Sequence, residues 1–436
     1  MSREFDVLIV GAGAVGSALA ALLLARGHAS PRRVALIGER ADAASPDPAE
    51  PDWDLRVFAL GRAAQRVLES CGAWSLLPRD RVFAYERMCV WDASGAPAGM
   101  GSLTFDCADI GEPNLGFIVD GRALHEACRR AASAAGAVAI DGTVRAASSD
   151  GSSARVGLAD GRELAGGLLI AADGAGSRTR ELLGIETAGH GYHQDALVAH
   201  VRTGKPHDAT AWQRFLTTGP LAFLPLPDGR CSIVWSVARP QAVRLRALDA
   251  QAFGAALSAA SDRALGDVEL ASAVASYPLK LQYALEYARP RAVLVGDAAH
   301  AIHPLAGQGL NLGLIDCAVL AEELGGGSPG GPRAAASPRD AGAADPLGDF
   351  RTLRRYERRR KSENLLTATA MDGLERLFAS PSTAMMRLRA YGLTAVDKLA
   401  FVKRQLARRA LGLAGDVPAF IEHEARFTAD RSSPRR

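Results

Sequence analysis

The chain has no Cys-x-x-Cys pair, and its one other Gly-x-Gly-x-x-Gly match, Gly325–Gly330, lies in a low-complexity stretch rather than between a strand and a helix. No apolar run in it reaches the roughly 18 residues needed to cross a bilayer. Its six cysteines stand far apart, at 71, 89, 107, 128, 231 and 317. That scatter argues against a zinc ribbon or a dithiol centre and suits free thiols in a reducing cytoplasm. The first apolar run opens on acidic residues and is interrupted by glycines, so no secretory leader is expected. Charge is nearly balanced, with 51 Lys+Arg against 48 Asp+Glu, which gives no case for a nucleic-acid partner. His300 and His303 stand close together, but Pro304 and the glycines after it break any helix that would present both on one face. No carboxylate pattern completes a set, so no metal site is expected.

The chain has 436 residues, too many for one small core, and two domains with a helical appendage are expected. From Arg351 onward there are 19 Lys+Arg and 9 Asp+Glu, a local charge of +10 on a body of −7. A basic tail on a mildly acidic body favours an anionic surface as neighbour.

Phe5–Val10 (FDVLIV) reads as a buried strand. It runs into Gly11-Ala12-Gly13-Ala14-Val15-Gly16 and then an Ala/Leu-rich helix. Strand, GxGxxG, helix is the order a dinucleotide fold needs. Gly11 permits the turn, Gly13 lets backbone approach a pyrophosphate, and Gly16 allows close helix–strand packing. A second strand, Val34–Ile37, ends near Glu39, where a carboxylate holds a ribose hydroxyl pair. Asp54-Leu55-Arg56 is expected to lead into a helix, Arg62–Cys71, with Arg56 either reaching the pyrophosphate or standing on the surface. Leu168–Ala171 is another buried strand, turning at Asp173-Gly174. Late in the chain Val293–Val295 precedes GDAAHAIHPLAGQGLNLGLID, Gly296–Asp316. There Asp297 sits at a strand end, and glycines lead into a helix near Leu310. The free N–H groups of such a helix suit a ligand carrying negative charge.

Between these motifs, His190–Val237 is strand-like, with hairpin punctuation at Gly219-Pro220 and Asp228-Gly229. An antiparallel sheet forming a second domain is expected. Ile140–Ala147 reads as one strand, Ala250–Ala260 as a helix and Ala273–Leu279 as a strand. Ala41–Pro51 and Gly325–Gly348 read as loops, the latter of low complexity. Phe350–Glu363 is a basic helix. Ala395–Leu413 reads as an amphipathic helix with Val396, Leu399, Val402, Leu406, Ala410 and Leu413 as its stripe. Packing on the body and resting on a membrane surface both remain open for it.

GAGAVG, AADGAGSRTR (Ala171–Arg180) and VLVGDAAHAIHPLAGQGLNLGLID (Val293–Asp316), in this order around a β-rich insertion, resemble the flavoprotein aromatic hydroxylases of the p-hydroxybenzoate hydroxylase type. Within that class the chain is similar to the ubiquinone-biosynthesis hydroxylases. The similarity rests on His303–Asp316, Asp54–Leu60 (DLRVFAL), Gly219–Leu226 (GPLAFLPL) with Val234-Trp235, and the tail motifs MDGLERLF and FVKRQLARRALG.

The resemblance implies an α/β fold: a Rossmann-type FAD domain from 1–80, 106–185 and 286–324, with a β-rich substrate domain from 81–105 and 186–285. A loop (325–349) and basic C-terminal helices (350–436) complete it. It implies FAD held by Gly11, Gly13, Val15, Gly16, Glu39, Arg40, Arg56, Val144, Asp173 and Asp297, with Gly307, Gln308, Gly309, Leu310 and Asn311 facing the ring. The pocket wall is expected to include Phe223, Leu224, Pro225 and Trp235, with His303 near the substrate. Many such enzymes place an arginine where this chain has Gly121; here Arg122 is one step off.

The implied activity is hydroxylation of a polyprenylated phenol in ubiquinone biosynthesis, with NAD(P)H as a transient co-substrate and O2 reacting through a flavin hydroperoxide. The implied setting is the cytoplasm, with peripheral contact to the inner face of the membrane and a ubiquinone-biosynthesis complex as partner. Hydroxylation of another aromatic, prenyl-lipid reduction and a non-catalytic flavin subunit are the rival readings. No catalytic acid or base is legible.

Overall fold

A computed structural model describes residues 4–25, 33–39, 52–302, 308–325, 347–380, 382–418 and 421. Arg40, His303, Gly307, the Ala41–Pro51 loop and most of the Gly325–Gly348 loop lie outside them.

Phe5–Val10 is the centre of a mostly parallel sheet. It pairs in parallel with Val34–Gly38 on one side and with Glu163–Ala171 on the other. Beyond these lie Val138–Asp141 and Ala292–Leu294, both also parallel to their neighbours. The central strands are continuous apolar runs because both faces are covered, whereas the edge strand Val138–Asp141 is largely exposed. The helix Ala14–Ala25 covers one face and is buried almost all round, wedged against the helices Gly121–Ala134 and Gln308–Leu324. The predicted single strand Ile140–Ala147 is two, Val138–Asp141 and Val144–Ser149. Gly142 and Thr143 break it, and the second piece pairs antiparallel with Ala154–Leu158 instead.

The second sheet has nine strands, built around the 17-residue strand Thr187–Thr203. It is antiparallel except where Thr210–Leu216 runs parallel to Arg87–Asp92. One face packs on the helices Arg239–Arg246 and Ala250–Ala260 through Leu197, Phe223, Ile233, Trp235 and Phe253. The first of these helices escapes the sequence reading; it opens with Pro240 in its first turn, where a missing N–H costs nothing. The other face looks back at the nucleotide fold. A three-stranded sheet, Val57–Leu60, Gly116–Asp120 and Val82–Tyr85, lies between. Val82–Tyr85, grouped by sequence with the β-rich part, thus pairs with strands on the nucleotide side. Likewise a strand, Val57–Leu60, precedes the helix Arg62–Ser70.

The C-terminal segment is a 30-residue helix, Phe350–Ala379, followed by Thr383–Lys398 and Ala400–Ala410. The single helix expected over Ala395–Leu413 therefore breaks at Leu399. Several contacts bolt this segment to the second sheet, among them Tyr192 with Asp372, Gln194 with Glu375 and the Thr104 N–H with Asp397. The two most buried come from Phe378 and Arg389. Phe378 stacks on Phe215 at 4.0 Å between ring centroids. Arg389 pairs with the buried Asp92 at 3.0 Å and donates to the carbonyls of Leu377, Phe378 and Ser380.

Candidate functional site

The parallel register brings the motifs to one edge. Val10, Ala171 and Leu294 are neighbours across three strands, and Val10 also faces Ile37. The carboxyl ends therefore present, in order, Gly296-Asp297, Asp173-Gly174, the glycine loop and Glu39. Ligands of open parallel sheets bind at such an edge.

The three glycines of the first motif have three different environments. A Cβ on Gly11, whose φ is +112°, would lie 2.3 Å from the Ala172 carbonyl oxygen, and one on Gly16 would lie 1.9 Å from that of Gly11. These two glycines lock the loop against the second motif and against itself. A Cβ on Gly13 would meet nothing within 4 Å. Gly13 thus faces open space at a helix N-terminus, which is where a pyrophosphate fits.

The late motif is locked in the same manner. Gly296 (φ +59°) and Gly313 nearly touch, and a Cβ on Gly313 would stand 3.0 Å from Val15. Val15 thus serves as the packing block between first and last motifs. After Gly296 the chain crosses to the second sheet, where His300–Ala301 pairs with Tyr283 and Gln282.

Two carboxylates in this stretch have opposite surroundings. Asp316 is fully buried and accepts from the Gly296 N–H (3.0 Å), His300 Nε2 (2.6 Å), Arg360 Nε (2.7 Å) and Asn364 Nδ2 (3.1 Å). Burial would raise its pKa, but the His300 and Arg360 charges outweigh that and hold it well below the usual range. His300 is therefore a bolt joining the late motif to the long C-terminal helix. Asp297 lines the main cavity and accepts no hydrogen bond from any described residue. Its carboxyl is pushed up by burial, with the charges of His300 and Arg56 acting against that. A half-buried carboxylate with free acceptor sites, facing a cavity, suits a ligand rich in hydroxyls.

That cavity, about 520 Å³, is bounded on one side by Gly13–Val15, Arg56, Gly174, Asp297 and Gln308–Asn311. Gly121 explains the missing arginine. A Cβ there would lie 2.4 Å from the Arg56 carbonyl, and the backbone N–H of Gly121 donates to that oxygen. Arg122 reaches away to the Asp52 carbonyl. One turn along, His125 lines the cavity in its stead, its pKa lowered by surrounding protein and the Arg56 charge.

Other expected residues divide. Asn311 holds the Gly61 N–H and the Ala59 carbonyl, each at 2.8 Å, so it clamps its helix to the Val57–Gly61 segment. Asp173 engages its own turn, accepting from Ser177 Oγ and from the Thr179 N–H. Arg180 in the same turn donates to the Ala298 carbonyl, tying the second motif to the third. Glu39 accepts from Thr143 Oγ1 at 2.7 Å, beside Val144. These two lie along the strand edge, outside the walled cavity.

The substrate wall needs a correction. Leu224 lines the cavity, but Phe223 and Trp235 point to the opposite face of the sheet, into the core beneath the two helices. Pro225 does not line the cavity either. Strand parity is the reason: successive side chains alternate faces, so Ala222 and Leu224 look into the cavity while Phe223 looks away. The same parity places Ala196, Val198, Ser232, Val234, Ser236 and Gln213 on the cavity floor. Sequence reasoning also missed the closing wall. Ala407, Ala410 and Leu411 line the cavity. The Leu411 carbonyl accepts from the Ala63 N–H, and the Ala410 carbonyl accepts from Gln308 Nε2.

Open space at Gly13, the unpartnered Asp297 and the adjoining helix N-terminus together fit a dinucleotide whose ribityl-bearing end reaches the sheet floor. Among the described residues, no group of three or more His, Cys, Asp or Glu is placed to hold a metal.

Comparison with known proteins agrees with this geometry. Residues 124–328 match the FAD binding domain family. The chain is 32% identical to the 3-demethoxyubiquinol 3-hydroxylase of Escherichia coli K12, over 94% of this chain and all of that one. It is 34% identical to the ubiquinone hydroxylase UbiL of Rhodospirillum rubrum, over 93% of this chain and 89% of that one. Among solved structures, p-nitrophenol 4-monooxygenase PnpA of Pseudomonas putida has the same fold, with a TM-score of 0.71 at 19% identity, covering 95% of this chain and 100% of that one.

Proposed function

Because this chain belongs to the family of FAD-dependent hydroxylases of ubiquinone biosynthesis, we propose that it hydroxylates the aromatic ring of a polyprenylated phenol, with NAD(P)H and O2 as co-substrates. The supporting observation is one cavity with two kinds of wall. Glycine loops and Asp297 form the first, and a floor of small and apolar side chains closed by the last helix forms the second. FAD, when bound, supplies the hydride acceptance and oxygen activation. The chain's own residues do the rest. The Gly13 backbone holds the pyrophosphate, Glu39 the ribose and Asp297 the ribityl hydroxyls. The N-terminus of the Gln308 helix steadies negative charge at the ring edge. The apolar floor keeps water from the reacting centre.

The test is direct. Purified protein should carry FAD, oxidise NAD(P)H faster when a prenylated phenol is present, and place oxygen from O2 in the product. Asp297→Ala should release the flavin. Protein that binds no FAD, or that yields only peroxide with every prenylated phenol, would refute the proposal.

The tail supports a second, finer reading. Among the described residues, no helix is long and apolar enough to cross a membrane. Yet Leu388, Tyr391, Phe401 and Leu406 are exposed, and Arg404, Arg408 and Arg409 stand beside the last two. An apolar face rimmed by arginines suits an anionic membrane surface. The same helix lines the cavity, so a substrate dissolved in the bilayer would have a short route inward. Phe401→Asp with Leu406→Asp should abolish co-sedimentation with phosphatidylglycerol vesicles. Unchanged sedimentation of the folded variant would defeat this reading.

A further inference from the structure

Gln213 stands out on the cavity floor. It is 5% exposed and lines the cavity. Neither atom of its amide has a hydrogen-bond partner among the described residues. Buried amides are nearly always paired, so an unpaired one that borders a cavity points to a ligand. Its setting leaves room for that ligand. Across the strands Gln213 faces Ala222, and Ala222 faces Val234. The short Ala222 side chain opens the floor beside the amide.

A second polar group lies on the same floor. Ser232 is fully buried, lines the cavity, and its hydroxyl has no partner. It sits two strands from Gln213 and two residues along, about 12 Å between Cα positions by ordinary strand spacing. Both side chains rise from the same face of the sheet, so an aromatic ring with oxygen substituents at two positions, lying over Ala222 and Val234, spans from one group to the other. The remaining polar groups on this sheet that reach the cavity are different in kind. Tyr277 and Lys280 are exposed, and of the two serines on the floor it is Ser232 whose buried hydroxyl stands without a partner.

We propose that Gln213, assisted by Ser232, reads the ring oxygens of the phenol and so sets which ring carbon is presented for hydroxylation. The amide both donates and accepts, so it holds a hydroxyl or an ether oxygen equally; Ser232 fixes the far side. The surrounding alanines and valines recognise nothing but shape. This inference rests on the hydroxylase reading and adds to it the residues that discriminate the ring.

The test uses the FAD-loaded, full-length enzyme with two probes, 2-prenylphenol and prenylbenzene, which differ by one oxygen. Affinity is read from the change each probe causes in the flavin absorbance. Wild type should bind the phenol at least tenfold better than the arene. Gln213→Leu, close in shape, should lose about tenfold of its phenol affinity and keep its arene affinity. It should also give more than one hydroxylated isomer. Ser232→Ala should show a smaller loss of the same kind, and it stands in if Gln213→Leu does not fold.

Unchanged phenol affinity and a single isomer in Gln213→Leu would overturn the assignment. So would an equal loss for both probes, which would mark the residue as packing only. Wild type that binds neither probe and forms no product refutes the hydroxylase reading itself, and the assignment falls with it. Wild type that hydroxylates the phenol while Gln213→Leu behaves identically refutes only the assignment.

Discussion

The two walls of the cavity are built by different means. The nucleotide wall is made of backbone. Its shape depends on glycines whose missing side chains let three loops touch, and small errors there are fatal. The sheet wall is made of side-chain parity. Its shape depends on which of two neighbours points inward, and both faces of the sheet are apolar. The first wall is rigid because its parts exclude one another. The second is adjustable because alanine, serine and valine leave slack.

The sharpest way to break this contrast is inside one motif. Gly16→Ala places a methyl 1.9 Å from a backbone oxygen, with nowhere for either atom to move. A loss of about 3 kcal/mol or more in stability is expected, or no folded protein at all. Gly13→Ala meets nothing and should unfold at the wild-type temperature while losing flavin. Thermal unfolding of flavin-free protein, beside the flavin absorbance as isolated, separates the two. Equal melting temperatures would mean that Gly16 is not a packing joint.

Asp316 and Asp297 repeat the contrast between scaffold and site. Asp316→Ala strands a buried guanidinium and a buried imidazole, so about 3–5 kcal/mol should be lost. Asp297→Asn removes a carboxylate that burial already disfavours. Flavin-free stability should hold or rise, while flavin retention falls. If Asp297→Asn destabilised the flavin-free protein as much as Asp316→Ala, the division between a structural and a ligand-facing carboxylate would be wrong.

On the sheet wall, parity predicts a swap of phenotypes. Trp235→Ala should cost about 3–5 kcal/mol through the cavity it leaves in the core, with affinity for a prenylated phenol unchanged. Ala222→Leu should leave stability near wild type and weaken the phenol at least tenfold, since it fills the floor. Calorimetric titration of both variants reads the difference. The reverse pattern would put the substrate on the other face.

The nucleotide wall was legible in the sequence because its constraints are local. A strand, a glycine turn and a helix in one unbroken stretch, Phe5–Ala25, state their own geometry, and the register then aligns the carboxyl ends of neighbouring strands. The sheet wall was legible only as a sheet. Phe223 and Trp235 looked like pocket residues because large apolar side chains mark any buried face, and here helices bury the far one. The missed helix Arg239–Arg246 is what makes that face buried. Alternation with polar residues marks the parity only in part: Ser232, Ser236 and Gln213 share the floor with alanines and valines, which blur it. The closing wall was out of reach for another reason. Ala407 and Leu411 come some 400 residues after the glycine loop, and only long-range contacts fix where that helix lands: the Phe378 and Arg389 anchors before it, the Lys403–Asp109 ion pair on it, and the Ala63 and Gln308 hydrogen bonds at its end. Asn311 shows the limit within a single motif: its sequence position was clear, but its clamp on Ala59 and Gly61 depends on a strand that was not foreseen.

The smallest effect expected is a pH dependence with one contribution from each wall. His200 on the sheet and His125 on the nucleotide side both have pKa values below the ordinary 6.5. Burial is the first cause for each, followed by the Arg230 charge for His200 and the Arg56 charge for His125. Around His200 stand Arg230 and Asp228 from the neighbouring hairpin and Asp52 from the segment above it. The Asp54 backbone lies beside the ring, but neither ring nitrogen has a partner in hydrogen-bond geometry. The folded chain therefore resists protonation at both sites, whereas the unfolded chain takes up protons near pH 6.5. The stability this contributes is complete above that value and is lost as pH falls below it. Asp297, whose carboxyl is raised, acts with the opposite sign nearer its own range, and Asp52, lowered to about 2, holds until far lower pH. Melting temperature should therefore decline from pH 6.5 towards 5. His200→Phe should remove the sheet's share of the slope and His125→Phe the other, and bound flavin should suppress only the His125 share, because that ring lines the cavity. A slope unchanged in both variants would assign the pH dependence to groups outside the two walls.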